Sequence, residues 1–152
     1  MNHQGKRHMM TMIRQLAACL VAMTLCSGIA AASETTAPDN AYLYIGWPND
    51  GEVLPANRPF RVWFGLRNMG VAPKGAAVPN TGHHHLLIDT GLPPLDQEIP
   101  SDRNHIHFGA GQTETMIELP PGKHTLQLLM GDYNHMPHKP PVYSRKITIT
   151  VR

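Results

Sequence analysis

Eight of the chain's ten histidines fall between His83 and His138, and neutral imidazole is a common ligand for zinc, copper, nickel and iron. Their spacing says more than their number. His83-His84-His85 opens one short apolar run, and His105-Ile106-His107 lies inside another. Both runs have the length and the Leu, Ile or Phe content of β-strands. Side chains on a strand alternate between faces, so His83 and His85 share one face while His84, Leu86 and Ile88 take the other. The same parity unites His105 with His107 and separates both from Ile106 and Phe108. Residues two apart on a strand are about 6.5 Å apart at Cα, close enough for both rings to lean on one metal ion. Two His-x-His pairs on neighbouring strands therefore define a candidate metal site of His83, His85, His105 and His107. His135 and His138 would add ligands from a loop. The competing account is a hydrogen-bonded or solvated set of histidines that holds no ion.

Other groups fit chemistry less well. His124 shares parity with Leu126 and Leu128 just after a Pro-Gly turn, which suits a satisfied structural histidine. Met116 and Met130 read as core rather than copper ligands. Beyond residue 32 the only serines are Ser33, Ser101 and Ser144, none in a Gly-x-Ser-x-Gly elbow, and no cysteine remains. Asp96 and Glu98 could serve as an acid pair, but they lie in a proline-rich loop that also needs charge for solubility. No glycine-rich segment is followed by a helix and a phosphate-binding lysine.

The elements that must position these histidines are short strands. Tyr42 to Trp47 reads as a strand closed by Pro48-Asn49-Asp50-Gly51, with an edge strand at Glu52 to Leu54. Phe60, Val62, Phe64 and Leu66 alternate with Arg61, Trp63 and Gly65. Asn68 to Gly82 is a Gly- and Pro-rich loop. After the first histidine strand, Gly91 to Arg103 carries Pro93, Pro94 and Pro100 and cannot be a central strand; it is expected beside the histidine strands. Gln112 to Leu119, Lys123 to Met130 and Val142 to Val151 complete the series. The expectation is an all-β fold: an antiparallel immunoglobulin-like β-sandwich of seven or eight strands, with a small cupin-like barrel as the alternative.

The first 32 residues read as an address. Lys6, Arg7 and Arg14 precede an apolar run from Leu16 to Ile29, and Ala30-Ala31-Ala32 offers a signal-peptidase site. The run is shorter than the roughly 20 residues of a spanning helix. The expected organisation is a cleaved signal peptide (1–32), a flexible lead-in (33–40) and one histidine-rich β domain (41–152), with no integral membrane segment after cleavage. Three of the chain's 13 Lys and Arg lie in the address and all 11 Asp and Glu lie beyond it, so the remainder carries a net charge of −1 with neutral His. That removes the electrostatic ground for nucleic-acid binding. Both cysteines, Cys19 and Cys26, belong to the address, so any metal must be held by nitrogen, oxygen or methionine sulfur.

The strings PNTGHHHLLID, LPPLDQ, NHIHFGAGQTET, LPPGKHTLQLL and GDYNHMPHKPP, in this order, resemble the bacterial secreted family catalogued as domain of unknown function 4399. The resemblance implies an exported, His-rich small β domain and brings no substrate or reaction with it. Residues and resemblance together predict a periplasmic or secreted protein that binds copper or zinc and serves metal buffering or delivery. Its partners would be the metal ion and, as a further candidate, an envelope protein. The rivals are an envelope interaction module with structural histidines and a small metal-dependent enzyme.

Overall fold

Alternating apolar runs broken by Pro and Gly leave no stretch that can bury a helical face, and none of the described residues is helical. The computed structural model describes residues 35–152; the expected signal peptide (1–32) lies outside the described residues. Among the described residues, nine strands form two sheets. One has the order β1-β3-β7, from β1 (Tyr42–Trp47), β3 (Phe60–Arg67) and β7 (Glu114–Ile117). The other has the order β2-β9-β8-β5-β4, from β2 (Val53–Leu54), β9 (Ile147–Val151), β8 (Gly122–Gly131), β5 (Thr81–Ile88) and β4 (Gly70–Val71). The strand β6 (His105–His107) also pairs with β5. No closed barrel forms among the described residues, which sets the cupin-like alternative aside. The count exceeds the expected seven or eight because β4, only two residues long, lies in the segment expected to be loop.

Both sheets contribute to one apolar core. Leu43, Phe60, Val62 and Phe64 meet Leu86, Leu126, Leu128 and Ile149 there. Alternation explains the partition: Val62 and Phe64 are buried, while Arg61 and Trp63 point outward. Met130 is buried in this core as expected, but Met116 is not: its neighbours Thr115 and Ile117 turn inward and leave it 60% exposed.

The strand that matters most is β5. It pairs antiparallel with β8 along one edge, and β4 and β6 share its other edge, β4 parallel at Thr81–Gly82 and β6 antiparallel at His85–Leu87. Every residue from Gly82 to Ile88 is buried, so both faces of β5 are covered. Leu86 and Ile88 face the main core, whereas Leu87 packs with Leu129 and Ile99 in a second, smaller cluster. The proline-rich loop supplies Ile99, with Leu92 and Leu95 packed alongside, and thus lies over the outer face of β5 and β8. Residues 35–38 of the expected lead-in are held in place: Thr36 bridges Lys139, and Ala37 is buried. The last strand is shorter than Val142 to Val151, because Val142 and Ser144 bond to β8 individually, without forming a ladder.

Candidate metal centre

The outer face of β5 presents His83, His85 and Leu87, and its register with β6 decides which histidines meet. His85 lies opposite His107, and Leu87 lies opposite His105. His105 therefore has the expected parity but sits one pair beyond the cluster. Its Nδ1 is 3.0 Å from Asp102 Oδ1, and the Asp102 carboxylate also accepts the His105 backbone N–H. The place that sequence spacing gave to His105 is taken by His135, from the loop after β8.

His83, His85, His107 and His135 offer four ring nitrogens that all lie within 4.8 Å of one another. The six centroid separations among their rings run from 4.3 Å (His107–His135) to 5.4 Å (His83–His135). His138, the other loop candidate, is buried away from the group, with Nε2 3.1 Å from the Thr81 carbonyl oxygen. His84 turns to the main core as its parity predicts. Its ring packs on Phe64 with centroids 5.1 Å apart, and its Nδ1 is 3.0 Å from the Gln112 carbonyl oxygen. His124 has two partners, Asp89 Oδ2 at 2.7 Å and the Pro120 carbonyl at 2.8 Å.

The loop carrying His135 is built on a buried aspartate. Asp132 Oδ1 accepts the backbone N–H groups of Asn134 and Met136, and Oδ2 accepts the Thr35 hydroxyl. This tight turn sets His135 at φ 73°, a left-handed conformation uncommon for a residue with a Cβ. The sequence Asp132-Tyr133-Asn134 carries the turn chemistry of this loop, which was expected as the source of His135. The ring of His135 is oriented from outside by Glu98, whose Oε1 lies 3.2 Å from Nδ1. A carboxylate there holds the proton on Nδ1 and leaves the Nε2 lone pair aimed inward, the arrangement by which metal-binding histidines are commonly fixed. Glu98, read from sequence only as half of an acid pair, is thus a supporting residue. Gly131 was also missed: it lies opposite His83, and a Cβ there would come within 2.8 Å of the His85 ring.

The electrostatics favour neutral rings. Burial is the largest cause in each case, followed by the mutual repulsion of neighbouring imidazoles or the Lys74 charge. Together they lower the pKa of His83 to about 4 and that of His85 to about 2, and they also lower those of His107 and His135. Neutral imidazole is the metal-binding form. Hydrogen bonding accounts for only part of the cluster. His85 Nε2 and His135 Nε2 are 2.8 Å apart, but both nitrogens of His83, Nδ1 of His85 and Nε2 of His107 are buried without a partner. An unsatisfied buried polar group typically costs about 1–3 kcal/mol. Coordination bonds of about 2.0–2.1 Å to a tetrahedral ion place ligand nitrogens roughly 3.3 Å apart, a small adjustment for rings this close.

The family model described as "Domain of unknown function (DUF4399)" matches residues 62–152, more than half of the chain and all four clustered histidines. No curated protein and no solved structure matches the chain. No helix among the described residues is long and apolar enough to cross a membrane.

Proposed function

The chain belongs to the family described as domain of unknown function (DUF4399), and we propose that it is an exported protein binding one copper or zinc ion through His83, His85, His107 and His135. The observation that carries this reading is the convergence of one ring nitrogen from each of four histidines within 4.8 Å, in a cluster where both nitrogens of His83, Nδ1 of His85 and Nε2 of His107 have no hydrogen-bond partner. His124 by contrast is satisfied at both nitrogens by Asp89 and Pro120, and His84 and His138, away from the cluster, each leave only one ring nitrogen unpaired. Four nitrogen donors without thiolate suit copper or zinc equally. The role that fits is metal buffering or delivery to an envelope partner.

Elemental analysis and calorimetric titration of tagless protein with Cu(II) and Zn(II) test the site. One ion per chain is expected, with binding lost in His83→Ala and His135→Ala. Failure of both metals to bind at micromolar concentration would remove the reading. Export rests on the segment from Lys6 to Ala32, and intact mass of the exported protein should begin at Ser33; a retained Met1 would refute it. The immunoglobulin-like sandwich belongs to the same proposal. It is supported by the grouping of β1, β3 and β7 in one sheet against β5, β8 and β9 in the other. Amide NOEs between Val53 and Thr150, the parallel contact of β2 with β9, are expected, and their absence would count against it.

A further inference from the structure

His83 and His85 form the closed inner wall of the cluster, each 0% exposed. His107 and His135 form its outer wall, and both line an open depression together with Lys74, Glu98 and Ser101. Lys74 is held there by its backbone. Its N–H donates to the Gly109 carbonyl, two residues after His107, and the N–H of Gly75 donates to the Tyr133 carbonyl, two residues before His135. The segment carrying Lys74 is thereby tied to both segments that supply the outer ligands. Its ammonium has no carboxylate partner among the described residues.

The charges at this mouth do not balance once an ion is bound. Four neutral imidazoles contribute none of the negative charge that a divalent ion calls for. Glu98, bonded to His135 Nδ1, and Asp132, bonded to the amides of its own loop, each keep one negative charge, which a divalent ion and Lys74 together exceed by one. Lys74 adds a further positive charge on the solvent side. Resting on the metal reading above, we propose that the depression is an anion site, in which a small carboxylate or carbonate ion coordinates the metal from the solvent side between Lys74 and Ser101. Lys74 attracts and orients the anion, and the Ser101 hydroxyl donates to it.

The test uses full-length mature protein loaded with Cu(II), its copper content established before any anion is added. Azide serves as the reporter through its charge-transfer absorption, and acetate and bicarbonate as competitors, all at constant ionic strength. Azide should bind, and acetate or bicarbonate should displace it. Lys74→Gln should weaken azide binding about fivefold, the upper range for a partly exposed charge pair, and Lys74→Glu should weaken it further. Copper affinity should stay within a few-fold of wild type in both variants. Azide affinity unchanged in Lys74→Glu, or no spectral response in copper-loaded protein, overturns the anion site while leaving the metal site standing. Absence of copper at the loading step overturns the metal reading itself, and the anion site with it.

Discussion

The apo protein should lose stability as the pH falls from 7 to 5, and the size of the loss follows from two buried rings. His83 and His84 are each fully buried, on opposite faces of β5, and burial is the chief cause lowering each pKa from 6.5 to about 4. Between those values the unfolded chain takes up protons that the folded chain refuses. The unfolded state then binds more protons, so stability rises with pH across this window; it is complete above 6.5 and drains away below. At pH 5 a base shifted from 6.5 to about 4 forfeits about 2 kcal/mol, so the two rings together forfeit about 4 kcal/mol. His85, His107 and His135 act in the same direction. Against a typical total of about 5–15 kcal/mol this is a large share, equivalent to roughly 15 °C in melting temperature at about 4 °C per kcal/mol. Urea unfolding of metal-free protein at pH 7 and pH 5, followed by circular dichroism at fixed ionic strength, measures it directly. Metal-loaded protein should start from a higher stability but lose at least as much, because the ion keeps the folded rings free of protons while the unfolded chain still takes them up. An apo stability that is flat between pH 7 and pH 5 would show that these rings are not held neutral in a dry environment, and the electrostatic account of the site would fall.

His85→Ala should reduce metal affinity by more than about 100-fold, since it removes a ligand outright, whereas His105→Ala should change it only a few-fold because its ring is engaged with Asp102; chelator competition distinguishes the two. Glu98→Gln should cost about tenfold in metal affinity, the low end for a supporting carboxylate, because Glu98 is itself well exposed; an unchanged value in the same competition assay would deny it that role. His124 behaves oppositely to the cluster. Burial opposes its charge, but the Asp89 hydrogen bond, the Pro120 carbonyl and the Asp89 charge together raise its pKa, and only the imidazolium can donate to both partners. Its contribution is therefore full below pH 6.5 and lost as pH rises through the raised value. His124→Ala should destabilise by about 1 kcal/mol at pH 6, with the screening of exposed Asp89 taken into account, and by less at pH 9. Equal losses at the two pH values in denaturant melts would contradict this.

The sequence made the face of each strand histidine legible but not the register between strands. Parity alone separated His83 and His85 from His84, and His107 from Ile106, because alternation is local to the strand. Whether His105 or His107 stands opposite His85 depends on the turn at Asp102–Asn104, where side-chain bonds to the backbone set the pairing. His135 lay in a segment without periodicity, and its entry into the group depends on a left-handed backbone imposed by Asp132. Glu98 was legible as an acid but not as a partner, since 37 positions separate it from His135. The strands Tyr42–Trp47 and Phe60–Arg67 were plain, the first from the strong turn cluster that closes it and the second from its apolar alternation.

Burial of β5 on both faces has a consequence for how the strand finds its place. In most strands a one-residue slip moves apolar side chains into water, and that penalty enforces register. Here a slip in either direction still leaves each face of Gly82–Ile88 holding a histidine and a leucine, because His83-His84-His85 is followed by Leu86-Leu87-Ile88. Hydrophobic pattern is thus a poor alignment signal for this strand. Shape supplies the signal instead. Gly82 lies so close to β8 that a Cβ would stand 2.6 Å from the Gly131 carbonyl oxygen. A slip would bring either Thr81 or His83 to that spot, each with a Cβ that the gap cannot admit. The alignment of the whole ligand set against its neighbours is keyed by one missing methyl group.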